Sequence, residues 1–130
     1  MEEKRSVSII GAGLSGLSAA ITLARAGVHS FLISAQPSER AQSVLAEGGI
    51  NAALDTMGEK DSTEDHFIDT MRGGVFLESE RAVRNLTENA PGIVRELVRI
   101  GVPFRSENGR LILRNFGGQK KKRTAYAKSS

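Results

Sequence analysis

The chain contains no cysteine. That excludes disulfides, thiolate metal sites and a cysteine nucleophile, and it leaves the redox compartment open. Tryptophan is also absent, and Tyr126 is the one tyrosine. No apolar run approaches the roughly 20 residues of a membrane-crossing helix, so no direct membrane span is expected. The N-terminal stretch MEEKRSVSII puts acids before bases and has no long apolar core, which makes a poor secretory signal. The reading from these absences is a cytoplasmic protein.

What is present is a chain of 130 residues, 39% hydrophobic, enough for one small domain. Its net charge of +3 hides an asymmetry. Residues 1–104 carry a net −4 and residues 105–130 a net +7, dominated by the run Lys120, Lys121, Lys122 and Arg123. Such a run is either a solvated basic face or a field that attracts an anionic ligand. Nucleic acid is not an expected partner: one aromatic, Tyr126, lies near the run and no nucleic-acid motif accompanies it.

Residues 6–10, SVSII, read as a short buried strand, and HSFLIS, ending near Ser34, reads as a second. Between them Leu14, Leu17, Ile21 and Ala24 recur on one helical face, and Gly27 stops the helix. This is a β-α-β unit of the length a parallel crossover needs. Residues 35–61 read as an extended loop with a short helical piece near 41–47. Residues 62–72 read as a helix capped by Ser62 or Asp61 and closed by Gly73 and Gly74. Residues 79–100 read as two helices broken before Pro91. The stretch VPFRSENGRLILRNF reads as a β-hairpin turning at Asn108 and Gly109.

The chemistry starts at Gly11-x-Gly13-x-x-Gly16, between the first strand and the first helix. Gly11 allows a tight turn, Gly13 a close backbone approach to a pyrophosphate, and Gly16 close packing of helix on strand. The pyrophosphate then sits on the helix N-terminus, where free N–H groups and the dipole favour an anion. Gly11, Ala12, Gly13, Leu14, Ser15 and Gly16 are therefore candidate dinucleotide-binding residues. The end of the second strand departs from the usual pattern. It reads Ile33-Ser34-Ala35-Gln36, without the acid that normally holds ribose hydroxyls.

Four further stretches carry a resemblance: SVLAEGGINAAL, DSTEDHFIDTMRGG, the AP…V.EL…GVPF pattern and NFGGQKKKRTAYA. In order and spacing the chain resembles, from about Val7 onward, the N-terminal part of the succinate dehydrogenase/fumarate reductase flavoprotein subunit. L-aspartate oxidase belongs to the same superfamily. The fold class implied is α/β, the N-terminal part of a Rossmann-like FAD-binding domain with an incomplete sheet. Its parts are a β-α-β unit (1–34), a flavin-wrapping loop (35–61), helices (62–100), and a hairpin with a basic tail (101–130). The resemblance implies FAD as cofactor and hydride exchange between flavin and a dicarboxylate, fumarate or succinate.

By the same resemblance the segment holding Ser34 and Ala35 and running through Gln42, Ser43, Ala46 and Glu47 to Gly48 and Gly49 wraps the FAD. The glycine pair would let backbone N–H groups approach the flavin ring where a Cβ would obstruct. Glu47 matches a residue bordering the substrate pocket, glutamate in quinol-linked fumarate reductases; otherwise it is a surface loop acid. Gln42 stands where membrane-bound members carry the histidine joined covalently to the flavin. Non-covalent FAD is therefore expected, with fumarate reduction favoured. Phe116 matches a phenylalanine that packs on the dicarboxylate; otherwise it is a hairpin core aromatic. His66 and Asp69, at i, i+3, are able to pair on one helix face. Arg123 and Thr124 match a family pair that either anchors backbone near the flavin or serves as structural hydrogen-bonders. No metal site is expected.

Family members continue for several hundred residues, so the capping domain and the catalytic Arg and His residues are expected outside this chain. The chain alone is expected to be inactive, and no catalytic residue is assigned in it. An iron–sulfur subunit or another electron carrier is the expected partner, which would place the protein at the inner face of a membrane through other subunits. The alternatives are L-aspartate oxidase or another enoate reducer, and a non-catalytic FAD-binding fragment.

Overall fold

A computed structural model describes residues 6–46 and 48–127. Two compact units divide the chain, Met1–Glu47 and Gly48–Ser130.

In the first unit β1 (Ser6–Ile10) and β2 (His29–Ile33) run parallel, with Ser6 opposite His29 and Ile10 opposite Ile33. The Gly11 N–H donates to Ile33 O at 2.8 Å and extends the pairing by one step. The crossover helix α1 (Leu14–Arg25) ends where Gly27 takes a φ of +72°, a conformation glycine adopts without steric cost. The expectation of buried strands is corrected here. Ile10 is 88% exposed, Phe31 and Ile33 are exposed as well, and α1 buries no residue. The apolar composition is that of strands covered on both faces. Two strands and one helix leave most of that surface open. After β2 come a 3₁₀ turn (Ser38–Arg40) and the one-turn helix α2 (Gln42–Leu45).

The second unit is built on two helices and short strands. Helix α3 (Thr63–Gly73) begins at Ser62, whose Oγ accepts the Asp65 N–H at 3.0 Å, and its C-cap is Gly74. Helix α4 (Glu80–Arg99) is continuous, with Pro91 in its interior. The expected break before Pro91 is thus absent. An interior proline forfeits one i→i−4 bond, here to the Thr87 carbonyl. The helix persists because Val83, Thr87, Ala90, Pro91 and Val94 fall on one buried face.

A three-stranded antiparallel sheet in the order β3-β7-β6 joins β3 (Ile50–Asn51), β7 (Thr124–Ala125) and β6 (Leu113–Arg114). Ala90 and Val94 of α4 pack on it with Ala52, Leu113 and Ala125 to form the main core. Phe67, Met71 and Val83 form a second cluster between α3 and α4. The hairpin of β4 (Ser106–Glu107) and β5 (Arg110–Leu111) turns at Asn108 (φ +49°) and Gly109 (φ +75°), as the Asn-Gly pair requires. Among the described residues no helix is long and apolar enough to cross a membrane.

Candidate cofactor site

The loop from Gly11 to Gly16 has the geometry its glycines demand. Gly11 turns with a φ of +107°. A Cβ on Gly16 would overlap the Gly11 carbonyl, so α1 and β1 can approach only if residue 16 has no side chain. Gly13 is the α1 N-cap, in extended conformation and without a side-chain cap. A Cβ there would meet only Ser43 Oγ at 3.4 Å and Ala41 Cβ at 4.0 Å. The protein itself therefore leaves room for a Cβ at Gly13.

The first N–H groups of a helix have no intrahelical acceptor. In α1 the Leu14 N–H finds Ser43 Oγ at 3.0 Å. Ser15 and Gly16 follow in the first turn, which carries no acidic residue to compete with an anion. Ser43 thus belongs with this loop. Gln42 lies beside it at the start of α2 and is exposed, as are Ser34, Ala35 and Ala46, while Ala12 is buried. The first turn of α1, with no acid in it, fits a pyrophosphate at the helix N-terminus.

In the second unit Gly49 takes a φ of +105°, and a Cβ on it would overlap the Ala125 carbonyl. The glycine requirement at 49 therefore comes at least in part from the β7 backbone, a cause no local pattern reveals. Gly48 has its would-be Cβ 3.7 Å from the Phe116 ring. Phe116 is 54% exposed, so it is not a hairpin core aromatic. Its N–H donates to Gln119 Oε1 at 3.3 Å, and Thr124 Oγ1 donates to Asn51 Oδ1 at 2.6 Å. Arg114 Nη2 donates to Gly48 O at 2.9 Å. Sequence reasoning missed Arg114, because β6 is too short to show periodicity, and Gln119, because the loop between β6 and β7 has no period at all. Glu47 lies outside the described residues.

The basic run is only in part a solvated face: Lys120 and Lys122 are exposed, while Lys121 is half-buried and Arg123 buried. Lys121 Nζ pairs with Asp65 at 2.7 Å, and the Lys122 N–H donates to Glu59 Oε2 at 2.7 Å. Arg123, wholly buried, lies 2.9 Å from Asp61 and 3.0 Å from Asp69. The positive charge is thus largely matched by the acids of 59–69. The Lys122 backbone bond holds the Glu59 carboxyl below its usual range, and the Lys121 bond does the same for Asp65. Burial pushes the Asp61 carboxyl up against the pull of Arg123. His66 is buried, and desolvation with the Arg123 charge lowers its pKa to about 4. Asp69 is directed to Arg123, which corrects the expected role of an i, i+3 partner for His66.

Residues 6–130 match the family described as FAD binding domain. The chain belongs to that family. This FAD binding domain is 46% identical over 123 residues to the succinate dehydrogenase flavoprotein subunit of Bacillus subtilis, a match covering 94% of this chain and 21% of that protein. It is 42% identical over 122 residues to a fumarate reductase (CoM/CoB) subunit of Methanothermobacter marburgensis, covering 92% and 22%. Among solved structures it superposes on the Sdh1 complex of Mycobacterium smegmatis with a TM-score of 0.88 at 39% identity, covering 96% of this chain and 22% of that one. The quinol fumarate reductase of E. coli gives 0.87 at 36% identity, covering 94% and 21%. The chain spans about a fifth of the length of the curated relatives it matches. Dehydrogenases and reductases both occur among them, so kinship alone does not set a direction.

Proposed function

We propose that this FAD binding domain is the N-terminal portion of a fumarate reductase-type flavoenzyme acting on a dicarboxylate. The half-exposed Phe116 ring set against Gly48 carries the reading. It presents an apolar face beside the flavin-wrapping glycines. FAD, when bound, supplies hydride exchange with a carbon–carbon bond. The chain's own residues hold and orient: Gly13 and the first turn of α1 take the pyrophosphate, and Ser34, Ala35, Gln42, Ser43 and Ala46 line the wrapping segment. Gly48 and Gly49 approach the ring, and Phe116 packs on the substrate. Gln42 offers no covalent bond to the flavin, and Glu47 borders the substrate. Both favour fumarate reduction over succinate oxidation. The electron donor is an iron–sulfur subunit or another carrier, through which a peripheral position on the inner face of a membrane is reached.

The test uses the intact protein. Acid precipitation is expected to release free FAD into the supernatant. Turnover with a reduced viologen and fumarate is expected to exceed succinate oxidation. Flavin held in the pellet would remove the Gln42 argument. Faster succinate oxidation would reverse the direction, and turnover of L-aspartate in place of either acid would replace the substrate.

A further inference from the structure

We infer that Arg114 is a positioning residue that sets the direction of the Gly49 N–H towards the flavin. The inference rests on the reading of Gly48 and Gly49 as flavin-approaching backbone.

The decisive group is the peptide between these two glycines. A trans peptide is planar, so the carbonyl of residue 48 and the N–H of residue 49 point in opposite directions. No cis bond occurs among the described residues. Arg114 Nη2 holds the Gly48 carbonyl at 2.9 Å. That bond therefore turns the Gly49 N–H away from Arg114, on a residue that is exposed. Glycine is the residue least able to fix its own peptide plane, because it lacks the Cβ that restricts φ and ψ. Two consecutive glycines need an external hold if their peptide is to keep one orientation.

Arg114 is itself held. It lies in β6 opposite Thr124 of β7, and Thr124 is in turn opposite Asn51 of β3, two residues after Gly49. Its guanidinium carbon stands 4.4 Å from the Tyr126 ring centroid and 5.6 Å from that of Phe116. Both are within cation–π range. One side chain thus connects the flavin-wrapping glycines with the aromatic assigned to the substrate. The bond to Gly48 is charge-assisted, which makes it stronger than a neutral one. It also polarises the peptide, so the Gly49 N–H becomes a better donor.

A donor aimed at the flavin stabilises the negative charge gained on reduction, and so raises the midpoint potential. Losing it must lower the potential. A side chain that only braced the fold would leave the potential of retained flavin unchanged.

The experiment is an equilibrium redox titration of the bound FAD, without substrate, in the intact wild-type protein and in Arg114→Met and Arg114→Lys. Lysine keeps the charge but not the fork of donors. The expected order of potentials is wild type, then Arg114→Lys, then Arg114→Met. For Arg114→Met the ratio of reduced to oxidised flavin at fixed potential should fall about tenfold, the scale of one hydrogen bond to a charged group. For a two-electron couple that is about 30 mV. Wild-type potentials in both variants overturn the inference. Should Arg114→Met not retain FAD, Arg114→Lys decides alone: a lowered potential supports the role and an unchanged one overturns it. A wild-type protein that binds no FAD overturns the underlying reading instead, and the inference with it.

Discussion

Arg123 and Asp61 face each other at 2.9 Å with both side chains closed off from solvent, although 62 residues separate them in sequence. Asp69 stands 3.0 Å from the same guanidinium. The segment leading into β7 is thereby pinned to the loop before α3 and to α3 itself. Breaking a buried pair by removing one partner leaves an uncompensated charge, which costs about 3–5 kcal/mol. Arg123→Met is expected to destabilise the intact protein by that amount in denaturant unfolding. A loss below about 1 kcal/mol would show that the two carboxylates find other partners or take up protons.

The glycines of the nucleotide loop separate ligand demands from packing demands. Gly13→Ala meets no closer protein atom than Ser43 Oγ at 3.4 Å. It should keep the melting behaviour of the wild type to within about 1 kcal/mol, the scale of a change at an N-cap. The same variant should lose its flavin absorbance on desalting. Gly16→Ala overlaps the Gly11 carbonyl and should lose stability as well, by at least the roughly 1–3 kcal/mol typical of overpacking. Full flavin content in Gly13→Ala would show that no ligand approaches that backbone.

His66 gives a pH dependence with a definite sign. Its pKa is about 4 in the fold, against an ordinary value of 6.5. Between those values the unfolded chain binds the proton and the folded one does not, so stability rises with pH across that window. It falls as pH drops from 6.5 to 4 and loses nothing further from this group below that. Glu59, Asp65 and Asp61 titrate too, but they are common to wild type and His66→Gln and cancel in the difference. The stability advantage of wild type over His66→Gln should shrink as pH is lowered through the window. A difference that stays constant with pH would refute the assignment.

Features that depend only on neighbours along the chain could be read from the residues alone. The turn at Gly11 and the spacing to Gly16, the Ser62 cap of α3 and the Asn108-Gly109 hairpin were all legible, because each is satisfied within a few consecutive residues. The family was legible for a related reason: its motifs keep their order and spacing even where their partners are distant. Long-range packing settled the rest. Pro91 stays inside α4 because burial of one face outweighs a lost backbone bond, and local propensity carries no trace of that face's partner. The run from Lys120 to Arg123 reads as one solvated face, but only the acids at 59–69 reveal that Lys121 and Arg123 turn inward to ion pairs. Gly49 answers to the Ala125 carbonyl, and Arg114 to that of Gly48, across two-residue strands too short to leave a period. The expected buried strands β1 and β2 are exposed for the converse reason: composition records what a strand is suited to, while burial depends on what lies against it.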